Sequence, residues 1–538
     1  MKKALYIIIP LLIAFTLRLY PTLISGMPFS TDAWPLIRNT ELLLQNTPIP
    51  LNSNIFDGYN NFWPASQLFG AILSQITTLP PITAMALGIP IAAALTIPIF
   101  YLLVKKITQN NTTSLIASIL LAAAFPFTFY AAGVTKEAFA SPIYISLILI
   151  FILKHNWKTT LLFCVASVAL VLTHHLTAFF AVGIISSLSI ASFISKKSKD
   201  EKGNSNQSNI LFNAILISIT TIYFLLFASP GFMLTITLNI LLSVGAYLIF
   251  VIALALGLVY FTRKFSRKRA FFYWAIGSLL SIEFMFMTIN ICTLPGVHWL
   301  YALPMIIGLP IVIFALYELY QKNPVLIVPL FWLVPVIAFT GFTVFANPPD
   351  ASALAWRSMN FILPPLIILI AIGVHKLYIA SKHIKIQRIA KCITILIILS
   401  IVTINTYGLY ATVSEQSPYL GYFWLYYPSE YKASNWIAIN INNQTVAGDA
   451  KVDYLLHQYF NETVSTTTGL RFLEGNGSEP EILYIYNQMY GNGKGYVLGG
   501  IPIILPANWT DKLADYNVVY ANSEVTIYAR RKLHRRTS

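Results

Sequence analysis

Charge is scarce in this chain of 538 residues: 10% of the residues are charged, whereas 57% are apolar. A soluble globular domain normally has about a quarter charged residues. The deficit therefore excludes an ordinary soluble protein. Apolar runs of about 20 residues, long enough to cross the ~30 Å hydrocarbon layer of a bilayer, recur along most of the sequence. The composition predicts a protein embedded in a membrane.

Cysteine is nearly absent as well. The three residues, Cys164, Cys292 and Cys392, lie far apart in or beside apolar runs. This spacing excludes a disulfide framework and a cysteine metal site. We expect all three thiols to be buried as small hydrophobic groups. The first apolar run also lacks a convincing small-x-small cleavage site, which indicates a retained first span rather than a signal peptide.

The net charge of +15 comes from basic residues in the short loops between apolar runs. In a soluble domain such a charge would indicate nucleic acid. Here it indicates topology, because Lys and Arg are enriched in cytoplasmic loops. Loops that are rich in basic residues alternate with loops that are poor in them, and this pattern places the N-terminus in the cytoplasm. Since topology accounts for the charge, we expect no nucleic acid among the partners. The expected location is the plasma membrane.

The hydropathy pattern predicts a polytopic α-helical membrane protein with about 13 transmembrane helices. The predicted spans lie near 4–25, 81–104, 113–130, 138–154, 158–173, 177–195, 210–229, 232–260, 270–292, 299–320, 324–345, 359–378 and 392–411. With an odd number of spans, the chain after the last one is extracytoplasmic.

The composition changes near Glu415, where the apolar runs shorten and Tyr, Asn and Gly become frequent. Alternating strand patterns and short amphipathic helices predict a small mixed α/β domain. We therefore divide the chain into a transmembrane catalytic domain, 1–411, and an extracytoplasmic domain, 412–538. Glycosylation sequons, which often occur by chance, agree with that placement: Asn443, Asn461, Asn476 and Asn508.

Most ionisable residues in the predicted outer loops fall in a few short segments. The first loop contains "FSTDAWPLIRNTELLLQ" and "NIFDGYNNFWPASQ"; later outer segments contain "YAAGVTKEAFASP", "LTHHLTAFF" and "DASALAWRSMNF". Ionisable groups at membrane depth are costly and mark functional sites. The candidate site residues are Asp32, Arg38, Asp57, Lys136, Glu137, His174, His175 and Arg357.

Each candidate also has a structural interpretation. Asp32 and Glu137 are typical of helix N-termini, where a carboxylate caps the backbone or neutralises a neighbouring cation. The His174–His175 pair is typical of interfacial polar contacts more often than of metal sites, and Arg357 of an interfacial anchor. The functional interpretation is favoured because all these residues lie on one predicted face of the membrane that has little other charge.

The chemistry of these residue types is compatible. A carboxylate can act as a general base on a hydroxyl group or hold a divalent cation. Arg and Lys can neutralise a phosphate leaving group, and a histidine can assist either task. This combination at a membrane surface predicts transfer of a group that is carried on a lipid phosphate.

The motif "TDAWPLIRNTELLLQ" resembles the first loop of the GT-C superfamily of membrane glycosyltransferases, especially the catalytic subunit of oligosaccharyltransferase. "FDGYNNFWPASQL" and "IASILLAAAFPFTFYAAGVTKEAFASPIYI" resemble the segments that follow it in that family. The resemblance covers residues 10–180 by motif and the remainder only in architecture. It implies a GT-C fold and a polyprenyl-phosphate-linked sugar donor.

The resemblance also implies site roles. It places the catalytic carboxylate on Asp32, a second catalytic acid on Glu137 and a contact to the lipid phosphate on Arg357. The other candidates, Arg38, Asp57, Lys136, His174 and His175, are assigned to substrate binding. Lys136 replaces the neighbouring acid of the family motif, so a divalent cation (Mg²⁺ or Mn²⁺) is left open and no cofactor is firmly implied.

The leading hypothesis is a glycosyltransferase that moves a sugar from a polyprenyl-phosphate donor to a glycan, lipid or protein acceptor at the outer face. Transfer of a lipid-linked glycan to asparagine is the alternative, but the Trp-Trp-Asp-Tyr-Gly signature is missing; the corresponding region reads "VAGDAKVDYLLHQY". A transporter or lipid flippase is the alternative from another class. Such proteins have repeats and midplane ionisable residues, whereas here only Glu283 is a clear mid-span acid.

Overall fold

The computed structural model describes a bundle of helices followed by a small sheet-containing domain. It describes residues 2–46, 60–196, 205–228, 328–346, 351–380, 387–414, 421–441, 444–490, 495–498 and 501–531, with a few positions between 242 and 312. The bundle helices are α1 (Lys2–Ser25), α2 (Ala33–Gln45), α3 (Ala65–Thr77), α4 (Pro81–Ala94), α5 (Thr96–Thr108), α6 (Asn111–Ala123), α7 (Phe125–Ala132), α8 (Lys136–Ile152), α9 (Trp157–Thr173), α10 (His175–Lys196), α11 (Ser205–Tyr223), α12 (Val328–Ala346), α13 (Ala351–Ala380) and α14 (Gln387–Ser414).

Several of these helices are long and apolar enough to cross a bilayer. Six such spans occur in the described part of the chain, or seven if α6 and α7 form one bent span. A multi-pass membrane protein is therefore confirmed. The predicted span near 270–292, and most of those near 232–260 and 299–320, lie outside the described residues, as does Glu283. The total of about 13 spans remains a prediction.

The predicted third span is bent by 60° between α6 and α7. Pro126 follows the break and has no backbone N–H to continue the helical ladder. Asn405 of α14 closes the break, since its side-chain Oδ1 accepts a hydrogen bond of 2.7 Å from the backbone N–H of Phe125. Thr128 donates its hydroxyl to the carbonyl of Ala122 across the same break. The bend is thus held by side chains from two helices.

The bundle core is a continuous apolar cluster, but its outer surface is apolar too. Leu161, Leu162 and Val165 on α9 are all more than half exposed, as expected for side chains that face lipid. This exposure corrects the prediction for the cysteines. Cys164 is half-buried and Cys392 of α14 is exposed, because a lipid-facing position does not require burial within the protein. Cys292 lies outside the described residues.

The C-terminal part contains α15 (Gly421–Trp424), α16 (Pro428–Asn440), α17 (Ala450–Val452) and α18 (Thr466–Leu473). Its strands are β1 (Val446–Ala447), β2 (Val464–Ser465), β3 (Ile482–Tyr486), β4 (Tyr496–Leu498), β5 (Ile501–Ile503), β6 (Tyr516–Ala521) and β7 (Val525–Arg530). Five of them form a mixed sheet in the order β2-β1-β3-β7-β6. β1 pairs in parallel with β2 and β3, and β7 pairs antiparallel with β3 and β6. The small mixed α/β fold is confirmed. The boundary at 411/412 remains a prediction.

The C-terminal part packs directly on the first loop. The indole of Trp34 in α2 contacts the rings of Tyr426 and Tyr459 at centroid distances of 5.0 and 5.4 Å. Tyr459 also donates its hydroxyl to the Glu41 carboxylate at 3.0 Å. Burial of several large rings at one interface contributes much of its stability. The helix that follows Asp32 is consequently anchored to residues about 400 positions later in the chain.

Candidate active site

Four separate segments of the sequence meet at one end of the bundle. This is the end where α1 and α9 finish and where α8, α10 and α13 begin. Asp32 follows α1, Glu137 lies in the first turn of α8, His174 lies between α9 and α10, and Arg357 lies in the second turn of α13. We call this cluster the charged site. Its members are distant in sequence and come together only through the packing of the helices.

Asp32 is paired with Arg357. Its Oδ2 lies 3.5 Å from Nη2 of Arg357, and each side chain is about one-third exposed. Asp32 occupies the N-cap position of α2, but its side chain makes no capping hydrogen bond. The capping interpretation therefore does not describe this carboxylate. An ion pair that is one-third open can be reached by a substrate from solution.

Glu137 is held by a residue that the sequence reasoning missed. Asn360 of α13 donates its Nδ2 to Glu137 Oε1 at 2.6 Å, and both residues are buried. The cap of α8 is Thr135, whose hydroxyl accepts from the N–H of Ala138. Glu137 is thus not the capping group of its helix, although it lies in the first turn.

One face of α13 contacts both carboxylates. Arg357 and Asn360 are three residues apart, a spacing that places two side chains on the same side of an α-helix. The first contacts Asp32 and the second contacts Glu137. The spacing in "WRSMNF" was the signal available in the sequence, but it becomes informative only once α13 is known to face the two acids.

Lys136 and the two histidines form the other side of the charged site. The ammonium group of Lys136, which is buried, lies 5.5 Å from the ring centroid of Trp63. The Trp63 ring also contacts His175 at 4.8 Å. His174 exchanges a hydrogen bond with the Thr177 hydroxyl at 2.7 Å through Nδ1. Lys136 and Arg357 both act electrostatically on the two imidazoles, so the site contains two cations close to the histidines.

A small cavity lies beside the Glu137–Asn360 pair. It is lined by side chains of α7, α8, α10 and α13, including Tyr130, Glu137, Thr177 and Asn360. Oδ1 of Asn360 is buried and has no hydrogen-bond partner among the described residues. A buried amide oxygen without a partner is costly. It is therefore available to a hydroxyl group or a water molecule that enters the cavity.

Two candidates are not members of the charged site as described. Arg38 donates its guanidinium to the carbonyl of Gln458 at 3.4 Å and to Oδ1 of Asn461 at 3.2 Å, both in the C-terminal part. It fastens α2 to that part, and its assignment to substrate binding remains a prediction. Asp57 lies outside the described residues.

The described residues do not supply a metal-binding set. Within this part of the chain, no group of three or more His, Cys, Asp or Glu side chains lies close enough to hold an ion. Asp32 and Glu137 are engaged by a guanidinium and an amide instead. Mg²⁺ and Mn²⁺ prefer several oxygen ligands. The described oxygen donors alone do not make up such a set, and Asp57, a further acid of the first loop, lies outside the described residues.

In the region that corresponds to the acceptor signature, Asp449 and Lys451 are buried, whereas Asp453 and Tyr454 are partly exposed. Asp449 has no exposed surface; its side chain accepts from the Tyr422 hydroxyl at 3.0 Å and from the N–H of Val452 at 3.1 Å. Burial raises the pKa of Asp449 to about 6, against the effect of these hydrogen bonds. The neighbouring Lys451 pairs with Glu430 at 2.9 Å inside the domain. These groups stabilise the core of the C-terminal part and do not face a substrate.

The fold matches those of a solved oligosaccharyltransferase and of ArnT, so the fold that the first-loop resemblance implies is confirmed. The archaeal oligosaccharyltransferase AglB from Archaeoglobus fulgidus, solved with an inhibitory peptide and a dolichol-phosphate, matches with a TM-score of 0.59 and 12% identity over 98% of this chain and 74% of that chain. ArnT from Cupriavidus metallidurans, bound to undecaprenyl phosphate, matches with a TM-score of 0.51 and 10% identity over 98% of both chains.

At such low identity the likeness shows the fold alone. No protein-family model and no curated protein sequence matches the chain. The roles of individual residues therefore rest on the geometry of the charged site.

Proposed function

We propose that this protein is a glycosyltransferase that moves a sugar from a polyprenyl-phosphate donor to a hydroxyl-bearing acceptor at the extracytoplasmic face of the membrane. The observation that carries the proposal is the pairing of Asp32 with Arg357 at the partly open end of an apolar bundle. A base and a cation in contact suit a reaction in which a proton is taken up while an anionic leaving group departs.

In the proposed reaction the acceptor oxygen attacks the anomeric carbon of the sugar, and the bond from that carbon to the phosphate oxygen breaks. Asp32 takes the acceptor's proton. Arg357 stabilises the charge that develops on the departing lipid phosphate, with Lys136 as a second cation nearby. Glu137, fixed by Asn360, faces the same space and orients the sugar or the acceptor.

The fold supports a lipid carrier of this kind. One structure with this fold was solved with a dolichol-phosphate and another with undecaprenyl phosphate. Many apolar helices and a charged site at their end suit a substrate with a long apolar tail and an anionic head. The location at the outer face follows from the basic loops of the sequence.

A second candidate is transfer of a lipid-linked glycan to protein asparagine. It is favoured by the higher TM-score to AglB, whose structure contains an inhibitory peptide. Against it, the acceptor signature is missing from the sequence, and Asp449 in the corresponding region is enclosed in the core of the C-terminal part. We therefore rank it second.

The test is a transfer assay with membranes that contain the protein. Radiolabelled polyprenyl-monophosphate and polyprenyl-diphosphate sugars are supplied separately, and label is followed into glycan, lipid and protein fractions. We expect transfer from at least one such donor. Label in the protein fraction, on asparagine, would replace the leading proposal with the second; the absence of transfer from every donor would contradict both.

The variant that tests the role of Asp32 in this assay is Asp32→Asn. This change keeps the shape of the side chain and removes the base, so turnover should fall by roughly 10²–10⁴-fold, while the thermal unfolding midpoint stays close to that of the wild type. Unchanged turnover would show that Asp32 is not the base. Because Lys136 stands where the family motif has a second acid, we also expect activity to survive a chelator.

A further inference from the structure

The segments that carry Asp32 and Glu137 cross each other two to four residues before the acids. At the crossing, the N–H of Val134 donates to the carbonyl of Phe29 at 2.9 Å, and the N–H of Ser30 donates to the carbonyl of Trp424 at 2.9 Å. Three distant parts of the chain are therefore joined by two backbone hydrogen bonds. The third part, Trp424, belongs to the short helix α15, which follows the last membrane helix.

The side chain of Trp424 closes the crossing. Its ring lies 5.6 Å from Phe29, 4.6 Å from Phe129 and 5.4 Å from Tyr130, measured between ring centroids. Phe29 and Trp424 are both buried. Aromatic contacts of this kind add to the burial of the rings and fix their relative orientation.

The crossing leaves no spare room. A Cβ atom at Gly133 would lie 3.1 Å from Cβ of Ser30 and 3.1 Å from Cζ3 of Trp424, which is tighter than ordinary contact. Ser30 itself has a φ of 98°, a conformation that is unfavourable for a residue with a side chain. Such a backbone conformation persists only where the surrounding contacts enforce it.

Ser30 transmits the arrangement to the acid. Its hydroxyl accepts from the N–H of Asp32 at 3.2 Å, and it has no exposed surface. Asp32 is consequently tied to a residue whose own backbone is held by Trp424. In the other crossing segment, Glu137 follows Gly133 by four residues and lies in the first turn of α8.

We infer that Trp424 is a positioning residue that fixes the position of Asp32 relative to Glu137. The C-terminal part is then a component of the active site rather than an appended domain. This inference rests on the proposed function for its catalytic consequence. The mechanical statement, that Trp424 immobilises the loop of Asp32, does not depend on any activity. We call the arrangement the Trp424 clasp.

The mechanical test uses thiol labelling of purified full-length protein. In a background without Cys164, Cys292 and Cys392, the variant Asp32→Cys is treated with a water-soluble maleimide. Adding Trp424→Ala should increase the labelling rate several-fold, because the ring contacts that hold the loop are lost while the backbone hydrogen bond to Ser30 remains; Trp424→Phe should give a smaller increase, since a ring is retained.

The control is Trp436→Ala. The ring of Trp436 lies 5.2 Å from that of Tyr520, between centroids, within the C-terminal part. This contact does not involve the residues of the crossing. The substitution should leave the labelling rate unchanged even if it lowers thermal stability. Gly133→Ala adds a methyl group against Ser30 and Trp424 and should also increase the labelling rate. Equal rates for Asp32→Cys with and without Trp424→Ala would overturn the inference.

The catalytic test uses the same substitutions with Asp32 intact. Trp424→Ala should lower kcat at least ten-fold with little change in KM for the donor, and Trp424→Phe should restore most of the loss. A loss in kcat for Trp436→Ala of the same size would mean that Trp424 acts only through stability. If the wild type transfers no sugar, the proposed function fails, while the labelling result still decides whether the clasp exists.

Discussion

The Arg357 guanidinium lies 3.5 Å from the Asp32 carboxylate and, in the proposed reaction, would also contact the lipid phosphate. A lipid phosphate that enters the site would compete with that carboxylate for the same cation. Because charge on the phosphate grows as the sugar departs, the guanidinium gains most from the phosphate in the transition state. Arg357 is therefore expected to affect turnover more than binding.

Replacement of Arg357 tests this expectation. Arg357→Lys keeps the charge but loses the planar fork that binds phosphate through two hydrogen bonds, and Arg357→Ala loses both. Turnover per folded molecule should fall in the order wild type, Lys, Ala, with Ala lower by about 10²-fold. The measurement is the transfer rate of detergent-purified protein, normalised to the folded fraction.

An interfacial anchor predicts a different result for the same variants. The yield or the unfolding temperature would drop, but the normalised rates of all three forms would be equal. Asn360→Ala is a useful companion variant. Asn360 lies on the same helix as Arg357, and its replacement releases Glu137 of α8 without changing the charge of the site.

At the scale of elements, α13 and α16 each position a charged side chain against a partner of opposite charge on another segment. α13 presents Arg357 and Asn360 on one face toward two acids. α16 presents Glu430, which pairs with Lys451 of α17 inside the C-terminal part. The Lys451 ammonium also lies within 5 Å of the ring centroids of Tyr422, Tyr426 and Tyr486. The contact between Arg357 and Asp32 is partly open to solvent, whereas the pair of Glu430 and Lys451 is enclosed and serves stability.

The enclosed pair predicts a pH dependence of stability. Burial raises the pKa of Glu430 from 4.5 to about 7 and outweighs the attraction of Lys451. The folded protein thus holds a proton that the unfolded chain releases between these values. The contribution of this group to the free energy of unfolding is therefore greatest below about pH 4.5 and falls as the pH rises to about 7, by about 1–3 kcal/mol.

The unfolding midpoint of wild type and Glu430→Gln, measured from pH 4 to 8, checks this sign. The Gln variant cannot titrate at this position, so its midpoint should fall less over that range. Glu474→Gln, an exposed acid of the same part of the chain, should behave as the wild type does. A steeper fall for Glu430→Gln than for the wild type would contradict the prediction.

At the scale of the whole molecule, the end of the bundle that carries Asp32 and the C-terminal part lie on the same side of the bundle. The two are joined by contacts between the first loop and the region after α14, including the hydrogen bond of 2.9 Å from the N–H of Ser30 to the carbonyl of Trp424. Orientation of either one therefore fixes the orientation of the other.

Impermeant thiol labelling of intact cells tests the orientation. Cysteine is introduced at Ser478, an exposed position of the C-terminal part, or at Gln109, an exposed position beside the basic pair at the end of α5. We expect Ser478→Cys to react and Gln109→Cys to react only after the cells are made permeable. Reaction of Gln109→Cys alone would reverse the topology and place Asp32 on the cytoplasmic side.

The sequence by itself determined the class of this protein. Scarce charge and recurring apolar runs indicate a membrane bundle because the bilayer admits few charged groups, and this signal is local to each span. The motifs around Asp32 and Glu137 were sufficient for the GT-C resemblance because each motif is contiguous in the sequence, so it can be read without knowledge of the fold.

The tertiary structure decided which residues act together. Nothing near Asn360 in the sequence indicates that it faces Glu137, 223 positions earlier, and the motif that contains Arg38 gave no sign that this side chain binds the C-terminal part instead of the charged site. The crossing of Phe29, Val134 and Trp424 was equally invisible. Contacts of this kind depend on how helices pack and on the path of the chain between them, and a periodic pattern within one segment carries no information about either.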